Sequence, residues 1–177
     1  MDEDELANGE DRRISVDIWT ERLEQKHLPM LAHWIGRTAG AITPNDLPTD
    51  AEELFRWYES CAADPGRLDC LIRVYDTPVG LAGLRRCDGR EGAAELVLLL
   101  YEVNYNPLRT ATYATLRMLD RAFLELKLDR VEIRVFAQYK DYLEALVRMG
   151  FSQTAADSET ISAAVEKERY LSRKYLF

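Results

Sequence analysis

The chain is short of basic charge: against 31 Asp and Glu it has 23 Lys and Arg, a formal net charge of −8 over 177 residues. Sequence-independent binding to nucleic acid needs a cationic face that displaces counterions, so that class of partner is set aside. An anionic cofactor is not, because a local cluster of donors can oppose the global sign. Cysteine is scarce as well. Cys61, Cys70 and Cys87 are odd in number and lack C-x-x-C spacing, which reads as reduced thiols in a cytoplasmic protein rather than a disulfide framework or zinc site. The two histidines, His27 and His33, lack the i,i+4 spacing that puts two ligands on one helical face, so no metal is expected. No apolar run approaches the ~20 residues that span a bilayer, so no membrane partner is expected. The acidic stretch Met1 to Arg13 has no apolar centre and reads as a flexible tail rather than a signal peptide, leaving one domain over residues 14–177.

What is present is an ordinary globular composition, 47% hydrophobic and 31% charged. Ile14 to Leu23 alternates loosely and reads as a first strand. Helical spacing of Leu28, Leu31, Trp34 and Ile35 predicts a helix over His27 to Ile35, followed by a loop from Gly36 to Pro48. Thr49 to Glu52 has the pattern of a capping box opening a second helix, with Leu54, Phe55, Tyr58 and Cys61 on its apolar stripe. Cys70 to Tyr75 and Val79 to Leu84 read as strands joined through Asp76-Thr77-Pro78. Glu95 to Tyr101 (ELVLLLY) is apolar without alternation, which requires cover on both faces and marks a central strand.

Asn106-Pro107 is a good N-cap and first-turn pair for a third helix, whose stripe runs from Leu108 through Ala111 and Leu119 to Leu126. Arg130 to Phe136 alternates cleanly, Lys140 to Met149 is a short helix stopped by Gly150, and Phe151 starts another strand. Thr160 to Lys167 is open between helix and loop, and Arg169 to Leu176 reads as a final strand.

This order of elements resembles the GNAT acyltransferase superfamily. AELVLLLYEVNYN is similar to that family's fourth strand and exit loop. LRMLDRAFLELKLDRVEIRVFAQ is similar to its third helix and fifth strand, and LVRMGF to the end of its fourth helix. The resemblance runs from about Ile14 to Gln153 and is most specific over Leu116 to Phe151. It implies an α/β fold with a central, mostly antiparallel sheet, about four flanking helices, and a splay between the fourth and fifth strands. It also implies acetyl-CoA as co-substrate. The pantetheine would run along the backbone of Leu98, Leu99 and Leu100, and the pyrophosphate would meet orphan N–H groups where the third helix starts.

In register with the family's phosphate loop stand Asn106, Leu108, Arg109, Thr110 and Ala111, with Arg109 and Ala111 where glycines are usual. Tyr139 falls where an asparagine before the fourth helix is common. The family's proton-donating tyrosine would fall on Leu146. Tyr142, one turn earlier, is the substitute candidate for that role, and Glu102 is the first candidate for the base, ahead of Glu95. The expected activity is acetyl transfer to a primary amine of a small molecule or a peptide N-terminus. The alternative is a catalytically impaired module that binds acyl-CoA or a protein. A homodimer is left open.

Overall fold

The computed structural model describes residues 17–35, 40–101 and 105–176. Strand β1 (Ile18–Arg22) leads through a 3-10 turn into α1 (Leu28–Trp34), and α2 (Leu54–Ala63) follows. Next come β2 (Arg67–Val74), β3 (Thr77–Arg86), β4 (Ala93–Leu100), α3 (Pro107–Asp120) and β5 (Arg130–Phe136). The chain closes with α4 (Lys140–Met149), β6 (Ser152–Ala156), β7 (Thr160–Glu166) and α5 (Lys167–Arg173). One seven-stranded sheet runs in the order β1-β2-β3-β4-β5-β7-β6. Its pairs are antiparallel except β4 with β5, which α3 joins as a parallel crossover. The architecture is the mixed α/β one that the sequence pattern implies.

The unbroken apolar run of β4 follows from burial on two sides. Ala94, Leu96, Leu98 and Leu100 join Ala111, Met118 and Leu146 in a core beneath α3 and α4. Val97 and Leu99 point the other way, into a second core with Leu31, Trp34 and Leu54 from α1 and α2. Period-2 alternation therefore assigns successive leucines to different cores. The helix from Pro107 begins where predicted: Asn106 accepts the Arg109 N–H at 3.0 Å. Helix α4 ends on Gly150, whose φ of 110° is open to glycine at little cost.

The structure departs from the sequence expectation at several places. The segment Thr160–Glu166 is neither helix nor loop but strand β7, between β5 and β6. Its Ser162, Ala163 and Ala164 carry little strand propensity, and seven residue pairs with β5 override that. Arg169 to Leu176, expected as a strand, is instead α5 and a short 3-10 turn. Its buried Tyr170 packs on Phe123, with ring centroids 5.5 Å apart, and donates to Asp120 at 3.0 Å. The box at Thr49–Glu52 does not cap α2: Asp50 accepts the Glu52 N–H at 2.9 Å, and the helix starts only at Leu54. Phe55, placed on the buried stripe, is 44% exposed.

The turn after β2 is Tyr75-Asp76, and Pro78 lies inside β3, opposite Arg73, where the ladder is irregular. A proline without an N–H fits only such a break. The expected strand start at Ile14 and the tail lie outside the described residues. Of the cysteines, Cys61 and Cys70 are buried, and burial pushes both thiols up to about 11.

Gly150→Ala puts a Cβ 3.2 Å from Arg169 Cγ and forces an unfavourable φ. The expected loss is about 1–2 kcal/mol of stability, seen as a fall of a few degrees in thermal midpoint, with the fold unchanged by circular dichroism.

Candidate functional site

Strands β4 and β5 stay paired for only four residues, from Ala93 opposite Arg130 to Leu96 opposite Ile133. Beyond that they diverge, and β4 runs on for four more residues towards the start of α3. This is the splay that the resemblance implies, and the backbone at Leu98 and Leu100 faces it. Those groups are already hydrogen-bonded within the chain. Leu98 N–H donates to Thr43 Oγ1 at 2.8 Å, and Leu98 C=O accepts from Ile42 N and Thr43 N at 3.1 and 3.3 Å. Leu100 N–H donates to Gly40 C=O at 2.8 Å, and across the gap Phe136 of β5 donates to Ile42 C=O at 3.0 Å. Leu99 forms an isolated antiparallel bridge with Ala41.

Sequence reasoning missed this segment, which lies inside the stretch read as a plain loop. The triplet Ala41-Ile42-Thr43 behind a glycine is a faint strand signal, and Ile42 and Thr43 are 4% and 1% exposed. Further on, Asp46 is clasped by Arg67 and Arg85, each at 2.6 Å. Burial alone would raise the Asp46 carboxyl, but the Arg67 hydrogen bond and both guanidinium charges hold it below its ordinary value.

At the α3 start, the N–H groups expected to be orphaned are partly spent. Asn106 takes Arg109 N–H with its side chain and Thr110 N–H with its carbonyl. Thr110 and Ala111 are buried, while Leu108 is exposed. The Arg109 guanidinium lies 5.6 Å over the Tyr113 ring and 4.0 Å from Asp17. Asp17 also accepts from the exposed Tyr75 hydroxyl and holds that phenol above its ordinary value.

Tyr142 is 3% exposed and sits in the core between α3 and α4. Its hydroxyl lies 2.6 Å from Thr115 Oγ1, and Thr115 donates its single proton to Ala111 C=O at 2.8 Å. Tyr142 is therefore the donor in that pair. Burial pushes its phenol far above the ordinary value. Tyr139 is the N-terminal boundary residue of α4, half-buried, with no side-chain cap. Glu95 sits at the far end of β4 and accepts from Arg134 at 2.9 Å. Glu102 lies outside the described residues. At the β4 exit Tyr101 stacks on Trp34, centroids 4.8 Å apart, and burial pushes its phenol up to about 12. Among the described residues no group of three His, Cys, Asp or Glu side chains could hold a metal.

A diverging parallel pair and a helix beginning just after the inner strand match the arrangement that the resemblance implies. The family model for the acetyltransferase (GNAT) domain matches residues 18–152, and the chain belongs to that family. Among solved structures it is similar to a mutant of the spermidine N-acetyltransferase SpeG from Vibrio cholerae. That likeness has a TM-score of 0.74 at 15% identity, covering 90% of this chain and 99% of that one. A Vibrio cholerae spermidine N-acetyltransferase in complex with CoA and spermine matches with a TM-score of 0.70 at 14% identity, covering 88% and 99%. At such identities the likeness is one of fold. No match is found among curated proteins.

Because Tyr142 donates inside the core, Tyr142→Phe is expected to cost about 1 kcal/mol of stability by chemical denaturation. Any CoA-releasing activity should stay within about twofold of wild type.

Proposed function

We propose that this protein is an acetyl-CoA-dependent N-acyltransferase whose acceptor is a primary amine of a small molecule or a peptide N-terminus. The observation that carries the reading is the family match over residues 18–152 together with the diverging β4–β5 pair that leads into α3. In this reading the acyl-pantetheine lies along Leu98 to Leu100 and the amine enters from the opposite side of the splay. Glu102, just past β4 in sequence, takes the amine proton, directly or through water.

The phosphates meet the first turn of α3. Arg109 leaves its 4.0 Å contact with Asp17 for a charge-assisted bond to phosphate, and Asn106, Thr110 and Tyr139 border the same place. With Tyr142 committed to Thr115 and Leu146 buried, the leaving thiolate takes its proton from solvent. A net charge of −8 favours cationic acceptors by long-range attraction, and the SpeG structures are described as spermidine N-acetyltransferases.

A second reading, a module that binds acyl-CoA or a protein without turnover, is favoured by two observations. The loop glycines are replaced at Arg109 and Ala111, and the β4 groups at Leu98 and Leu100 are bonded to the chain's own loop. Thiol release from acetyl-CoA with a panel of polyamines, amino sugars and peptides separates the readings. Release above the uncatalysed rate supports the enzyme, and tight binding without release supports the module.

For the enzyme, Glu102→Gln is expected to lower kcat by a hundredfold or more, roughly the scale of a lost general base. Arg109→Ala is expected to weaken CoA about tenfold at low salt, ~1.4 kcal/mol, and to flatten the salt dependence measured by calorimetry. A phosphate-free pantetheine thioester should bind both forms equally.

A further inference from the structure

A pantetheine arm is chemically a short peptide: two amides in sequence, each with an N–H and a C=O. It would pair with a strand edge as a peptide does, through N–H and C=O groups facing the splay. On β4 those groups include the Leu98 N–H, the Leu98 C=O and the Leu100 N–H, and residues 40–43 satisfy these three. The same segment reaches β5 through Phe136, so it spans the gap from one wall to the other. We propose that residues 40–43 are an intramolecular strap standing in the pantetheine position, and that an acyl-CoA binds only by displacing it. This rests on the acyl-CoA-dependent reading above.

Three features suit the strap to exchange rather than permanence. Its pairing with β4 is a single isolated bridge at Ala41 and Leu99, whereas β3 holds the other edge of β4 over seven residue pairs. Two of its bonds use a side chain: the Thr43 hydroxyl accepts from the Leu98 N–H and donates to the Leu98 C=O. The bonds given up at β4 are of the kind an incoming diamide can return, so displacement leaves no buried β4 group unpaired. The strap also has a fixed tether, since Asp46 stays clasped by Arg67 and Arg85 three residues beyond Thr43.

Its near end is set by Gly40, with φ 116° and its Cα backed onto the Leu100 carbonyl. A Cβ there would fall 1.3 Å from Leu100 O, so no other residue can keep this end docked. While the strap is docked, the population able to bind is reduced, and the apparent affinity for the cofactor falls by that fraction.

The test uses the full chain, CoA itself as probe, hydrogen exchange and calorimetry. On saturation with CoA, the Ile42 and Thr43 amides should lose protection while those of Leu98 and Leu100 keep it. Gly40→Ala, which cannot dock, and Thr43→Val, which removes the hydroxyl, should each bind CoA more tightly than wild type. A gain of about tenfold is expected for Gly40→Ala. If CoA binds and the Ile42 and Thr43 amides stay protected, or the variants bind equally or more weakly, the strap is a fixed part of the site and the proposal falls alone. If CoA binds neither wild type nor Gly40→Ala, the acyl-CoA-dependent reading falls and takes the strap with it.

Discussion

Once β4 parts from β5 at Leu96, its backbone is buried with nothing from the sheet to pair with on that side. A buried N–H or C=O left alone costs a good part of a folded domain's net stability, so some partner must be supplied. Much of the rest of the molecule can be understood from that demand. The strand is held on its other edge by seven residue pairs with β3, and its side chains are shared between two cores that fix it from above and below. The splay therefore stays open in the sheet while its strand stays rigid. The loop between α1 and α2 supplies the missing partners with three backbone groups and a hydroxyl.

The parts of the fold legible in the sequence are those whose signal comes from side-chain period. Arg130 to Phe136 alternates and is β5 to the residue; Lys140 to Met149 with Gly150 behind it is α4 to the residue; the doubly covered β4 reads as an unbroken apolar run. Errors concentrate where tertiary pairing overrules local preference. Small residues in β7 give no strand pattern, and the short helix beyond it runs into an apolar, aromatic ending that reads as strand. The splay was legible as a location, from the run into Asn106-Pro107, but the segment that fills it was not. The bonds from Ile42 and Gly40 to β4 are backbone to backbone, and such bonds leave almost no mark on residue type.

Two polar side chains near the start of α3 are already committed. Tyr142 is locked to Thr115, and Asn106 to the Arg109 N–H. Each pair solves a problem of burial or helix termination, and each removes a group that spacing alone offers as a ligand contact. Spacing identifies which residues share a face; it does not record whether their hydrogen-bonding capacity is already used. The GNAT fold is retained here with those capacities largely turned inward.

The two buried cysteines give the molecule an internal clock for opening. Cys61 lies in α2 and Cys70 in β2, while Cys87 is partly exposed. With their thiols pushed up to about 11, Cys61 and Cys70 hold roughly one thiolate in ten thousand at neutral pH, and both are closed off from solvent. An alkylating reagent thus counts one thiol in the closed molecule. Reaction of Cys70 requires the centre of β2 to be exposed, whereas Cys61 needs only α2 to lift from the sheet. The order in which the remaining two thiols appear distinguishes a detaching helix from a sheet that has come apart.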